Sequence, residues 1–221
     1  MCGRYFLDTL PELLAQQFRM HKYPVYTASH NIAPTQPMLV LRAHGEDNEW
    51  AWLRWGLIPH WAKDVSIGAK LINARGETVA EKPAFRGAFK YRRCIVPASG
   101  FYEWKPGAKG KQPYAIVPED DPCFGFAGLW EHWTAADGSV LETGSVLTTS
   151  ANALMAPIHE RMPVILQQDA YQSWIHGDPA EVKALIRPWP DGGMRAYPVS
   201  RAVGNVRNNS PQLIEPVEAA S

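Results

Sequence analysis

The sequence lacks an excess charge of either sign, because 22 Lys and Arg residues balance 22 Asp and Glu residues. This balance argues against a protein that coats duplex nucleic acid by charge alone, although it leaves room for a local basic patch. The sequence also lacks an apolar run long enough to cross a bilayer, and no secretory hydrophobic segment follows Met1. We therefore expect a soluble protein of a reducing compartment, the cytoplasm.

Cysteine is scarce as well. The chain has Cys2, Cys94 and Cys123, an odd number without CxxC spacing. Three such cysteines cannot all pair within one chain, and they do not form a zinc-ligand pattern. The sequence therefore argues against a disulfide scaffold and a structural metal site, and we predict no metal and no cofactor.

The residues that are present predict a mostly β, α+β fold. Apolar residues make up 46% of the 221-residue chain, and 19 prolines favour frequent turns over long helices. Hydrophobic patterning predicts strands at residues 38–42, 49–58, 94–105 (broken at 98–100), 113–117, 125–133, 140–149, 162–166 and 195–200. Helices are predicted at residues 10–20, where Thr9 to Glu12 fits a capping box, at 80–89, and at 179–187, where Asp178-Pro179 fits a helix start. Residues 21–37 are predicted to form a loop. We expect one domain over residues 1–221, with a loose tail at 218–221.

Cys2 is the first residue with distinctive chemistry. If Met1 is removed, the residue carries a thiol with a reference pKa of about 8.5 and an α-amine with one of about 7.7–8.0. An aldehyde that meets this amine forms an imine, and the neighbouring thiol can then close a five-membered thiazolidine ring. An internal cysteine forms only a labile hemithioacetal. Gly3 would allow close approach of a substrate, and Arg4 could hold an anion.

Three other segments offer partners for Cys2. Asn73 and Arg75 are two residues apart and share one face if their segment is extended. Glu103 is a lone carboxylate in an aromatic, strand-like run, where burial is costly without a partner. His159 precedes an apolar strand, and its ordinary pKa suits proton transfer near neutral pH.

Taken together, the ordered segments resemble the SOS-response-associated peptidase (SRAP) family. The matching segments are MCGR at residues 1–4, NIAP at 31–34, RWGLIP at 54–59, LINARGET at 71–78, PASGFYEW at 97–104, IHERMP at 158–163 and VSRAVGNV at 199–206. Each is weak alone, but the ordered set covers nearly the whole chain. The resemblance implies a compact, barrel-like β core with flanking helices and a positively charged cleft.

The resemblance also implies a function in the response to DNA damage. Proteins of this family remove their own initiator Met and trap the sugar aldehyde of an abasic site in single-stranded DNA as a thiazolidine crosslink, a lyase-like and peptidase chemistry. The family's active-site positions fall on Cys2, Asn73, Glu103 and His159. Its DNA-facing positions resemble Arg4, Pro34, Trp61, Arg75, Trp104, Thr148 and Arg161. We expect a monomer that works with the nucleoid if the source is bacterial, and no membrane partner.

Three alternatives remain open at this point. A glutamine amidotransferase-type hydrolase also begins Met-Cys-Gly, but such enzymes commonly use an Asn-Gly pair, and the chain has no Asn-Gly dipeptide. A peptidase acting in trans would use Cys2, His159 and Asn73 as nucleophile, base and orienting group. A noncatalytic reader of modified or single-stranded DNA would leave Cys2 without a chemical role.

Overall fold

A computed structural model of the protein describes residues 2–108 and 110–218, so residues 219–221 of the predicted tail lie outside the described residues. The strands are β1 (Tyr5–Leu7), β2 (Ser29–Ile32), β3 (Pro37–His44), β4 (Asp47–Trp55), β5 (Asn73–Arg75), β6 (Arg93–Ala98), β7 (Gly100–Lys105), β8 (Gln112–Pro118), β9 (Phe124–Thr134), β10 (Val140–Ser150), β11 (Arg161–Pro163), β12 (Ile165–Leu166) and β13 (Met194–Pro198). The α-helices are α1 (Pro11–Gln17), α2 (Arg86–Tyr91), α3 (Tyr171–His176) and α4 (Pro179–Val182).

Five strands close into a barrel in the order β10, β4, β3, β6 and β9, and pairing of β9 with β10 completes the ring. All of these pairs are antiparallel except β4 with β10, where Gly144 pairs with Trp55 in parallel. A Cβ on Gly144 would lie 2.7 Å from the end of the Met38 side chain and 2.9 Å from a methyl of Leu53, so a larger residue here would force these core side chains to shift. The predicted mostly β, α+β fold with a barrel-like core and flanking helices is confirmed.

The second sheet has the order β13, β8, β7, β1 and β2. The chain leaves the barrel at the end of β6 and enters this sheet at β7, with only Ser99 between them. The Ser99 Oγ accepts hydrogen bonds from the backbone N–H groups of Asp8 and Thr9, at 2.9 and 3.0 Å. These bonds hold the residues that follow β1 against the crossing point. The interruption at Ser99 confirms the predicted break at residues 98–100.

Several sequence-based boundaries were wrong. The predicted loop at 21–37 contains β2, whose polar residues hid its strand character. Thr9 does not cap α1, because its hydroxyl bonds to Ser99 Oγ and to the Pro122 carbonyl instead. The helix predicted at 80–89 is the shorter α2, which begins only at Arg86. The one at 179–187 is the short α4, followed by a 3₁₀ turn at Lys183–Leu185.

The α4 start agrees with the sequence pattern, since the Asp178 carboxylate accepts a hydrogen bond from the Ala180 N–H at 2.7 Å. Within residues 2–108 and 110–218, no helix is both long enough and apolar enough to cross a membrane.

Candidate active site

The register of β1 brings the start of the chain beside Glu103. Tyr5 pairs with Phe101 in β7, and the Tyr102 N–H donates to the Arg4 carbonyl at 3.0 Å. One further step along this antiparallel ladder places Glu103 beside the residues that precede Arg4. The strand pairing therefore brings Cys2 and Glu103 together, although they are 101 positions apart in the sequence.

Asn73 reaches the same point from the barrel. Strand β5 runs parallel to β10, with Asn73 opposite Val146 and Arg75 opposite Thr148. Ala74 is buried between the half-buried Asn73 and the exposed Arg75, so the predicted alternation of this segment is confirmed. The Asn73 Nδ2 donates to the Cys2 carbonyl at 2.8 Å. This bond holds the start of the chain to the barrel.

Cys2 is buried, with 1% of its surface exposed. Burial raises the pKa of its thiol well above the usual range, and the charge of Glu103 raises that pKa further. In the unprocessed chain, sulfur therefore stays a thiol at neutral pH. Access to this residue must increase before any DNA-sized substrate can react there.

Glu103 is almost as deeply buried, at 3% exposed. Burial raises the pKa of its carboxyl, while the charge of His159 acts in the opposite direction. A carboxyl with a raised pKa exchanges its proton more readily near neutral pH than an ordinary one. Glu103 thus has the electrostatic environment of a proton-transfer group, with Cys2 and His159 as neighbours.

His159 lies just before β11 and is oriented by the backbone. The Arg161 N–H donates to its Nδ1 at 3.0 Å. Since Nδ1 acts as an acceptor, the proton of the neutral imidazole lies on Nε2. The Asn73 bond to Cys2 and the electrostatic effects of Glu103 on Cys2 and of His159 on Glu103 bring the four predicted catalytic residues, Cys2, Asn73, Glu103 and His159, into one site.

Arg161 is held in place by two partners. Its guanidinium forms a two-point contact with the Glu77 carboxylate, at 2.6 and 2.9 Å, and also donates to the Thr148 carbonyl at 2.8 Å. Thr148, predicted to face DNA, is fully buried, and its hydroxyl accepts from Arg161 at 3.3 Å. In this structure Thr148 therefore supports Arg161 and offers no surface of its own.

The other predicted DNA-facing residues differ in their contacts and exposure. Arg4 donates to Asn31 Oδ1 at 2.8 Å and to the Val203 carbonyl at 2.7 Å, with its guanidinium 5.8 Å from the centre of the Trp104 ring. Trp61 is 52% exposed, as expected for a ring that stacks on a base. Pro34 is half-buried in the turn between β2 and β3.

Sequence reasoning missed two supporting residues. Glu77 accepts both hydrogen bonds of the Arg161 guanidinium described above. Its position two residues after Arg75, in the segment that supplies Asn73, is the sequence feature that could have identified it. Asn31 was recognised only as part of a motif, yet its Nδ2 donates to the carbonyls of residues 203, 205 and 208 at 3.2, 3.1 and 2.7 Å.

Among the described residues, no group of three or more His, Cys, Asp or Glu side chains could hold a metal ion.

Comparison with known proteins identifies the family of this chain. A family model described as SOS response associated peptidase (SRAP) matches residues 1–206. The abasic site processing protein YoqW of Bacillus subtilis (strain 168) is 43% identical over 222 residues, covering 97% of this chain and 99% of YoqW. The abasic site processing protein HMCES of Mus musculus is 32% identical, covering 87% of this chain and 66% of HMCES.

The fold comparison points the same way. A crystal structure of a protein from Bacteroides thetaiotaomicron matches with a TM-score of 0.87 and 26% identity, covering 98% of this chain and all of the other. The ordered motifs, the barrel and the full-length relatives lead to one conclusion: this chain belongs to the SRAP family.

Proposed function

We propose that this protein processes abasic sites in single-stranded DNA by trapping them covalently on Cys2, after removal of Met1. The observation that carries the proposal is that Asn73 and Glu103 lie beside Cys2, with His159 next to Glu103. Relatives named abasic site processing proteins support the same substrate class. Exposed Trp61, which can stack on an unpaired base, favours a single strand.

The first step is hydrolysis of the bond between Met1 and Cys2. One water is consumed, methionine leaves, and the Cys2 peptide nitrogen becomes an α-amine. This amine is the group that the later steps require. The Asn73 bond to the Cys2 carbonyl does not involve this nitrogen, so it can hold Cys2 in place before and after cleavage.

The second step is opening of the abasic sugar, which exists mainly as a closed hemiacetal. The anomeric hydroxyl loses its proton and the ring oxygen gains one, giving an aldehyde and a free hydroxyl. His159 suits this step because its Nε2–H is its donor, fixed by the Arg161 N–H on Nδ1. Glu103 suits the receipt of the hydroxyl proton because burial raises the pKa of its carboxyl.

The last steps form the ring. The Cys2 amine adds to the aldehyde carbon, and the resulting carbinolamine loses water to give an imine. The thiol then adds across the C=N bond, with sulfur bonding to carbon and the proton passing to nitrogen. The net reaction joins protein and DNA with loss of one water, and it needs no oxidant or cofactor.

Intact mass of the purified protein, alone and after mixing with abasic single-stranded DNA, tests the proposal. We expect the wild type to lack Met1 and to gain the oligonucleotide mass less one water. Cys2→Ala should form no adduct yet keep noncovalent DNA binding, whereas Cys94→Ala, which removes a buried thiol elsewhere, should form the adduct normally. Adduct formation by Cys2→Ala, or by protein that retains Met1, would contradict the mechanism.

A further inference from the structure

A second cationic feature lies outside the active site, in a groove between α2 and the α4 segment. The groove encloses about 480 Å³, with Phe89 and Pro179 among its apolar lining residues. Arg86 and Lys90 line it from α2, four residues apart and so on one face of that helix. Lys183 lines it from the 3₁₀ turn that follows α4. Three cations therefore meet in one concave surface.

These cations have no acidic partner within the described part of the chain. Arg86, Lys90 and Lys183 are exposed and form no ion pair there, and no acid lines the groove. Other arginines of the protein do contact carboxylates: Arg42 contacts Glu49 and Glu142, and Arg92 contacts Glu131.

The acid that immediately precedes Pro179 of the groove is engaged elsewhere. The Asp178 carboxylate caps the start of α4 through the Ala180 N–H, and it acts on Lys90 only as a minor electrostatic influence. In a chain without net charge, three cations that lack a counter-ion in one groove indicate an anionic ligand.

The groove is close to the active site along the chain. The segment that follows Arg75 leads directly to Ala80, which lines the groove. Five residues span at most about 17 Å when fully extended. A Cβ on Gly76 would lie 2.2 Å from the Ile186 side chain, so this segment packs tightly against the region just after Lys183. A strand bound near Arg75 would reach the groove within a few nucleotides.

We propose that this groove binds the phosphates of nucleotides that flank the abasic site, using Arg86, Lys90 and Lys183. The identity of the ligand as DNA rests on the proposed function, whereas the anion site rests on the groove alone. Guanidinium and ammonium groups on opposite walls suit successive phosphates of one strand. The site would add affinity without sequence preference and without touching the reacting sugar.

The test compares the triple variant Arg86→Gln/Lys90→Gln/Lys183→Gln with a charge-matched control, Arg19→Gln/Lys22→Gln/Arg195→Gln, whose exposed cations lie outside the groove. Binding is measured in a Cys2→Ala background, with abasic oligonucleotides that extend either two or ten nucleotides on each side. For a single strand, each lost phosphate contact reduces the slope of log affinity against log salt by about 0.7.

We expect the groove variant to lose about 2 from that slope with the long oligonucleotide, and to bind it roughly tenfold more weakly at moderate salt. The short oligonucleotide should bind as it does to the wild type. With Cys2 restored and DNA saturating, the adduct should form at the wild-type rate. Equal losses in the groove variant and the control, or equal losses for both DNA lengths, would overturn the proposal.

Two further results separate this proposal from the capture mechanism. If the wild type forms no adduct but the length-dependent loss remains, the groove is supported and the capture mechanism fails. If the adduct forms and the groove variant binds long DNA normally, the capture mechanism is supported and the groove assignment is wrong.

Discussion

Glu103 and Glu131 are equally buried, each with 3% of its surface exposed, but their surroundings differ. Glu131 accepts a hydrogen bond from Arg92 at 2.6 Å and one from the His132 N–H at 3.0 Å, and the His60 Nδ1 lies 3.5 Å away. Glu103 lies beside the Cys2 thiol and His159, and burial raises the pKa of its carboxyl.

This difference separates the structural carboxylate of Glu131 from the one that the proposed mechanism uses for proton transfer, Glu103. A buried charge that contacts a guanidinium and a backbone N–H is compensated where it stands. When burial raises the pKa of a carboxyl, its ionised form is destabilised. The ionised carboxylate therefore accepts a proton more readily than an ordinary one, which suits it to proton transfer. Burial alone therefore does not identify a catalytic acid; the groups around the carboxyl do.

The largest expected effect is on chemistry at Glu103. Glu103→Gln removes the group that can exchange a proton while keeping its shape, so we expect adduct formation to slow by about 10²- to 10⁴-fold. The rate is measured by intact mass over time with saturating abasic DNA. Glu131→Gln is the matched control, an equally buried carboxylate that should leave the rate of the folded protein unchanged. If adduct formation slowed equally in both variants, Glu103 would have no role in proton transfer that Glu131 lacks.

The next largest effect is on the stability of the protein, which depends on the pairing of Arg92 with buried Glu131. Arg92→Met removes the guanidinium and leaves the buried Glu131 charge with weaker partners, which should cost about 3 kcal/mol of unfolding free energy. Urea unfolding with an unchanged m-value measures this loss. The pair Arg92→Met/Glu131→Met should recover part of it, because no uncompensated charge remains. A single variant as stable as the wild type would show that the pair does not hold the barrel.

A smaller effect appears in the pH dependence of stability. Because the folded pKa of Glu103 lies above its unfolded value, the protonated carboxyl favours folding. That contribution is fully present below the unfolded pKa, about 4.3, and is lost as pH rises through the folded pKa. We therefore expect Glu103→Gln to have a higher Tm than the wild type at neutral pH, and the gap to close on acidification. If the difference in Tm between Glu103→Gln and the wild type widened at low pH, the pKa of Glu103 would be lowered by folding and not raised.

The smallest effect involves a third, exposed glutamate. Glu77 occupies the guanidinium of Arg161 with two hydrogen bonds that lower the pKa of Glu77, and a DNA phosphate would compete for the same donors. Glu77→Gln should raise affinity for single-stranded DNA by about two- to fivefold, with stability changed by less than about 1 kcal/mol. Glu160→Gln, which removes a neighbouring exposed charge, controls for charge alone. Equal gains would show that the contact with Arg161 is irrelevant.

Local sequence patterns were enough to place Asn73, Arg75 and Glu103. The first two follow strand alternation, and Glu103 stood out as a lone carboxylate in an aromatic strand. Glu131 escaped notice because its partner Arg92 belongs to a different element, so that the compensation appears only after folding. Thr9 was misassigned for a similar reason, since the buried Ser99 hydroxyl, 90 positions away, takes the place of the helix N–H groups.

Strand β2 was missed because its contacts are made by the ends of the chain. Asn31 donates to carbonyls in the segment 203–208, and the backbone N–H of His30 donates to Asn209 Oδ1 at 2.7 Å. Polar residues that would read as a loop are here strand residues that bind a later segment. Periodicity over short windows contains no information about a partner that lies more than 170 positions away.

The position of Cys2 has a practical consequence for anyone who produces this protein. Under the proposed capture mechanism, an affinity tag fused in front of Met1 would leave the Cys2 nitrogen inside a peptide bond, so a correctly folded tagged preparation would form no adduct. A handle at the opposite end is safer if it begins beyond Val217, whose N–H still donates to the Pro198 carbonyl at 2.9 Å. The same mechanism predicts that expression hosts that trim or acetylate N-termini differently yield preparations of different reactivity from one gene.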